Sequence, residues 1–182
     1  DVHVSPPLIA QLATALDGEA PVYASGQARV TMDEADLLTR LYTRFWLTTP
    51  FLNLGVPGFG VFAMNRAGRD RWGAWPDIIA DDGFARLHFA PDERVAVPAS
   101  YDWPMIQGFR QLVRVRRRQD AGMAELNEAY PGLLQNEDDL SQGLSVKQRA
   151  VKDPLGFIFF SAVRLTTKLP VFRSNTRWAR GR

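Results

Sequence analysis

The chain has 182 residues, 46% hydrophobic and 23% charged, a balance that excludes a disordered tail and supplies enough apolar material for a buried core. It has no cysteine and only two histidines, His3 and His88. A disulfide framework, a thiolate metal site and a His-rich metal centre are therefore excluded, and the missing cysteine fits a cytoplasmic setting. The net charge is +2, but the charge is unevenly spread, as the following elements show.

Ser5-Pro6-Pro7 opens a predicted helix, with Leu8, Ile9, Leu12 and Leu16 on one face, and Asp17-Gly18 ends it. Residues 22–32 are rich in small and β-branched side chains and read as a strand. Thr31 and Glu34 then form a capping-box pattern. The helix behind it carries Leu37, Leu38, Leu41, Tyr42, Phe45 and Trp46, a broad apolar face that calls for burial. After a loop over residues 48–57, the run Gly58 to Asn65 reads as a buried strand entered from a glycine turn.

Residues 66–72 suggest a helical segment, and a further helix is expected from Asp81-Asp82 to about Phe89. Residues 94–98 form a strand candidate, and a helix over 106–118 carries Arg110, Arg114, Arg116, Arg117 and Arg118. The polar stretch 131–145 reads as a mobile linker, within a connecting region placed at 131–153. Residues 154–182 form a basic amphipathic segment. It is apolar and helical in pattern to 168, interrupted by Arg164, and too short to cross a bilayer. No acidic residue follows Asp153, whereas Arg164, Lys168, Arg173, Arg177, Arg180 and Arg182 all do. Such asymmetry points to phosphates, polyanions or an anionic membrane as partners. Strands alternating with helices indicate an α/β class.

Three places in this pattern carry chemistry. Asp81-Asp82 stands at a helix start, where one aspartate serves as a cap and a second adds repulsion that suggests a site. The Arg run is either a solvated helix face or an anion clamp, since guanidinium groups pair with phosphate oxygens. Gly58 and Gly60 lack the third glycine of a dinucleotide fingerprint, so they favour close approach of a substrate or another segment to the backbone. The basic residues do not alternate with aromatic ones, which argues against nucleic acid as a partner.

In order, these pieces resemble family 2 glycosyltransferases, the large GT-A group that includes cellulose and hyaluronan synthases. Asp1-Val2-His3-Val4-Ser5-Pro6 looks like the end of the D-x-D segment, with Asp1 as its second aspartate. Gly58-Phe59-Gly60-Val61-Phe62-Ala63-Met64-Asn65-Arg66 resembles the acceptor-side strand. Pro76-Asp77-Ile78-Ile79-Ala80-Asp81-Asp82 is similar to the segment that supplies the catalytic base, and Arg116-Arg117-Arg118-Gln119-Asp120-Ala121-Gly122 to the Q-x-x-R-W-x-x-G segment. The match covers about the first two-thirds of the chain, residues 1–130. The family's Gln is Val115 here and its Trp is Gln119, and a competing register centres on Arg114. Loss of that Trp favours single-sugar transfer over polymer synthesis.

The resemblance implies a GT-A-like, Rossmann-like mixed sheet with flanking helices, whose nucleotide-binding half would precede Asp1. It implies inverting transfer from a nucleotide-diphosphate sugar to a hydroxyl of a glycan or lipid-linked acceptor. Asp82 would be the base and Asp81 its helper. Arg118, Arg117 and Arg116 would hold the donor diphosphate. Gly58, Phe59 and Gly60 would face the acceptor, and Asp1 would bind Mg²⁺ or Mn²⁺. The expected setting is the cytoplasm, at the inner face of the membrane if residues 154–182 touch lipid. The alternative is a non-catalytic or degenerate module that binds an anionic membrane or polyanion through its Arg clusters.

Overall fold

A computed structural model describes residues 2–53 and 56–172. Its centre is a four-stranded mixed sheet in the order β1 (His3–Val4), β4 (Arg94–Pro104), β2 (Tyr23–Thr31), β3 (Ala63–Met64). The long pair β2 and β4 is parallel, and each short strand joins it antiparallel, with His3 opposite Asp102 and Tyr23 opposite Met64. A parallel pair needs a long crossover, and here the chain between β2 and β4 supplies α2 (Leu37–Trp46), α3 (Pro50–Asn53), α4 (Arg66–Arg69) and α5 (Asp81–Leu87).

Strand periodicity sends neighbouring residues of β2 to opposite faces. Ala24 packs with Leu8 and Leu12 of α1 (Leu8–Ala15) and with Val97, Ala99 and Tyr101. Tyr23 packs with Val56, Ala85 and Phe89 toward α5. The ladder shifts register between Ser25 and Gln27, because Ser25 opposes Ala96 whereas Gln27 opposes Ser100. Pro98, which has no amide to donate, falls within this irregularity, so β4 continues past it to Pro104. The strand expected at 94–98 is thereby longer than its sequence signal.

A second body of helices lies beside the sheet. Tyr42 of α2, Leu112 and Val113 of α6 (Phe109–Ala129) and Val163 of α8 (Pro154–Thr166) form one buried cluster. Phe45 is buried against Phe157 and Phe160 of α8, with ring centroids 5.5 and 5.1 Å apart. Full burial of rings of this size contributes about 1.5–3 kcal/mol each. α8 thus docks on the rest of the chain instead of trailing from it.

Several local expectations change. The cap of α2 is Asp36, whose side chain accepts from the Thr39 amide at 2.7 Å. Thr31 is unavailable because it pairs with Pro104 at the end of β2. Only Ala63 and Met64 of the run 58–65 form a strand, since Gly58 and Gly60 have φ of +69° and +81° and break the extended ladder before it. The helix expected at 66–72 ends at Arg69, and α6 runs on to Ala129.

The region 131–153 contains short 3₁₀ turns at Pro131–Asn136 and Leu140–Gln142, and then α7 (Val146–Lys152). Its acidic stretch is anchored: Asp138 bridges Arg86 and Arg94, with its Oδ1 3.0 Å from Arg94 Nη1. Both arginines are buried. Buried guanidinium groups need carboxylate partners, and that need draws this segment onto the body.

Candidate functional site

The site begins with the approach to α5. Ile78 and Ala80 are buried with Phe84, Leu87 and Leu126. The Ile79 amide donates to Glu125 Oε2 of α6 at 2.8 Å. Gly122 allows the close crossing: a Cβ there would lie 2.8 Å from Ile79 Cγ2 and 3.1 Å from the Ala80 nitrogen. One turn before Gly122 on α6 stands Arg118. The final glycine and the arginine of the 116–122 segment therefore have separate jobs, one packing and one electrostatic.

α5 opens on Asp81 and Asp82. Asp81 is exposed, and its Oδ1 accepts from the Asp82 amide at 3.0 Å. Asp82 is half-buried, and its Oδ1 accepts from the Gly83 amide at 2.8 Å. Burial pushes the Asp82 carboxyl above the ordinary aspartate range; the Gly83 amide opposes this, the Asp81 charge adds to it and the Arg118 charge opposes it. The result is a carboxylate at a helix start that is a stronger base than a solvated one.

Sequence reasoning missed Tyr23. It is fully buried, and its ring stacks on Phe62 at 5.5 Å. Burial, and then the Asp82 charge, hold its hydroxyl protonated well above the usual tyrosine range. That hydroxyl donates to the Gly58 carbonyl at 3.4 Å. A Cβ on Gly58 would come 2.1 Å from the Tyr23 oxygen, so glycine is required there for space as well as for φ. Two more hydroxyls hold the same loop: Ser25 Oγ donates to the Val61 carbonyl at 2.7 Å, and Tyr101 donates to the Phe59 carbonyl. The aromatic start of β2 was legible in sequence, but nothing in the sequence linked it to Asp82 or Gly58.

Gly60 faces Tyr101 and Trp103, which a Cβ would approach to 3.0 and 3.2 Å. Phe59 is half-buried in an aromatic group, 5.0 Å from Trp103 and 6.3 Å from Trp46 between ring centroids. It also lines a cleft of about 220 Å³ with Gln27, Leu52, Asn53 and Pro57. Asp82 is not among the residues lining that cleft.

The three arginines expected to hold a diphosphate are not grouped for that task. Arg117 donates to the carbonyls of Thr166, Thr167, Leu169 and Val171 at 2.8–3.1 Å and closes the end of α8. Arg116 Nε lies 3.2 Å from Asp120 Oδ1, which also pairs with Arg164 at 2.8 Å. The charge of Arg118 is felt at Asp82. An α-helix turns by about 100° per residue, so adjacent arginines point apart. Asp1, the expected metal ligand, lies outside the described residues, as do Arg173, Arg177, Arg180 and Arg182. Among the described residues no group of three His, Asp or Glu side chains could hold a metal ion, and no helix is long and apolar enough to cross a membrane. The chain matches no protein-family model, no curated protein and no solved structure.

Proposed function

We propose that the chain is the acceptor-side part of a GT-A-type glycosyltransferase, which moves a sugar from a nucleotide-diphosphate donor to a hydroxyl acceptor with inversion. The observation that carries this reading is Asp82: a half-buried carboxylate at a helix start, accepting from the Gly83 amide at 2.8 Å, its proton affinity raised by burial and its charge felt by the buried Tyr23. The acceptor oxygen forms a bond to the anomeric carbon as its proton passes to Asp82. The bond from that carbon to the donor diphosphate breaks, and the nucleoside diphosphate leaves with the electron pair. Position and basicity together make an aspartate effective in such a step. Arg118 is the cation placed to offset negative charge near the reacting centre.

The acceptor side falls to the loop at Gly58, Phe59 and Gly60. Its aromatic group with Trp46 and Trp103, and the adjoining cleft, offer flat apolar faces beside polar groups, as a sugar ring requires. Arg117 drops out of the diphosphate role, because its donors are already used on α8. In this reading Asp1 would help to hold Mg²⁺ or Mn²⁺, which would supply positive charge to the donor diphosphate. The described residues offer no metal-holding cluster, so no step above depends on the metal. On this reading a nucleotide-binding half would precede Asp1.

The test is release of nucleoside diphosphate from a panel of nucleotide sugars by the chain joined to that upstream half, beside Asp82→Asn. Loss of a positioned base costs about 10²–10⁴-fold, and release should fall by that much. Near-normal turnover in the variant overturns the assignment. The acidic limb of the rate profile should lie above the ordinary aspartate range, since Asp82 must be ionised to act. Stability changes in the opposite sense. A carboxyl whose proton affinity rises on folding favours the fold below its unfolded pKa, about 3.9, and that contribution is lost as pH rises through the folded value. Asp82→Asn should therefore melt higher than the parent at neutral pH and converge with it in acid.

A further inference from the structure

The outward side of α7 and α8 is apolar and, among the described residues, has no cover. The inner side of α8 is accounted for: Phe157, Phe160 and Val163 pack against α2 and α6. On the other side, Leu155, Ile158 and Leu165 are 56%, 58% and 69% exposed, continued by Val151 at one end and Leu169 at the other. The spacings of three and seven residues put the α8 members on one line. An exposed apolar line of this kind marks an interaction surface.

The charge around that line selects the partner. Lys147, Lys152 and Lys168 are exposed beside it. Asp153, the last acidic residue of the sequence, is tied to Arg44. Asp120, the acid nearest to α8 from α6, is tied to Arg116 and Arg164. The following residues add Arg173, Arg177, Arg180 and Arg182 and no acid. A second copy placed face to face would set Lys147, Lys152 and Lys168 against their like, which costs energy. An acidic bilayer surface satisfies both features, with acyl chains taking the leucines and anionic headgroups taking the lysines. α8 has 13 residues, far short of the roughly 20 needed to span a bilayer.

We propose that the outward face of α7 and α8 is a docking surface for an anionic membrane, lying in the plane of the headgroups. The proposal is independent of the transferase reading, because none of its residues belongs to the Asp82 site. The experiment is flotation of the chain with phosphatidylcholine vesicles, with and without phosphatidylglycerol. Two variants accompany it: Leu155→Ser with Ile158→Ser and Leu165→Ser, and Lys152→Glu with Lys168→Glu. All five positions are exposed, and circular dichroism and the melting temperature verify that each variant folds.

The parent should float with the phosphatidylglycerol vesicles, and less at high salt. The triple variant should bind at least about tenfold more weakly, and the charge variant should lose its preference for the anionic lipid by a similar factor. Three results overturn the proposal. One is no flotation of the folded parent with phosphatidylglycerol. Another is equal flotation of the parent and the triple variant. The third is a concentration-dependent dimer that the triple variant abolishes without vesicle binding, which would assign the face to a second copy.

Discussion

Two groups of arginines in this molecule are neutralised in different ways. Arg86 and Arg94 stand alone in sequence, are buried, and share one carboxylate, Asp138, drawn in from a segment far along the chain. Their remaining donors reach backbone carbonyls of Val56, Phe89 and Asn136. The five arginines of α6 are conspicuous in sequence, yet Arg110, Arg116 and Arg117 are engaged with α8 or the residues just after it. Arg117 closes its last turn, Arg116 and Arg164 share Asp120, and Arg110 lies 5.6 Å from the Phe172 ring centroid. A visible run of charge is therefore a weak guide to a ligand site. A single charge forced into the interior is the stronger constraint, because burial leaves it no choice of partner.

The sharpest way to test this contrast is Asp138→Ala. It strips a buried carboxylate from two buried guanidinium groups and leaves Glu137, 3.4 Å from Arg86, as the remaining acid at that place. Breaking a buried ion pair by removing one partner costs about 3–5 kcal/mol. Urea denaturation should show a loss of that size. A change below about 1 kcal/mol would mean that residues 136–138 are held by contacts other than the ion pairs, and the contrast would fail at its stronger end. Arg94 itself feels burial first and the Arg86 charge second, both of which favour loss of its proton, so Asp138 sits where the electrostatic need is greatest.

Arg117→Ala is the corresponding test on α6 and should have a smaller effect. Its guanidinium donates to four carbonyls after the last turn of α8, where helices leave acceptors unsatisfied. Those carbonyls can turn to water when the guanidinium leaves, so the expected loss is about 1–2 kcal/mol. Hydrogen exchange should locate it in the last turn of α8. If donor binding fell instead while α8 kept its protection, the diphosphate role of Arg117 would return.

How much of this was legible beforehand differs between fold and site. Helices α1, α2, α5 and α8 and strand β2 follow from periodicity, since each carries a local apolar pattern that burial enforces. The Gly58 loop misled because its apolar run 61–64 reads as a strand. Its path is in fact set by hydroxyls of Tyr23, Ser25 and Tyr101, which are distant in sequence. The acidic stretch at 136–139 reads as solvated for the same reason: its partners, Arg86 and Arg94, are brought to it only by the tertiary fold. At the site, Asp81-Asp82 and Arg118 were visible as residue types at a plausible spacing. Tyr23 and Glu125 were not, because neither carries a motif and both act through proximity alone.

Arg116→Ala gives the smallest stability change and separates two roles that the α6 run could play. Its side chain is about one-third exposed, with 30% accessibility, and its partner Asp120 keeps Arg164 at 2.8 and 3.1 Å to its two oxygens. Removing one member of a shared, partly solvated pair costs about 0–1 kcal/mol, so the melting temperature should hardly move. If Arg116 only supports packing, the variant is nearly silent in every assay. If it also reaches the donor diphosphate, KM for the nucleotide sugar should rise with kcat nearly kept, since an interaction made equally in ground and transition states is lost. The same substitution at Arg118 should lower kcat as well, because the charge of Arg118 is felt at Asp82. Equal kinetic effects at the two positions would show that the run acts as one clamp, contrary to the separate employment seen along α6.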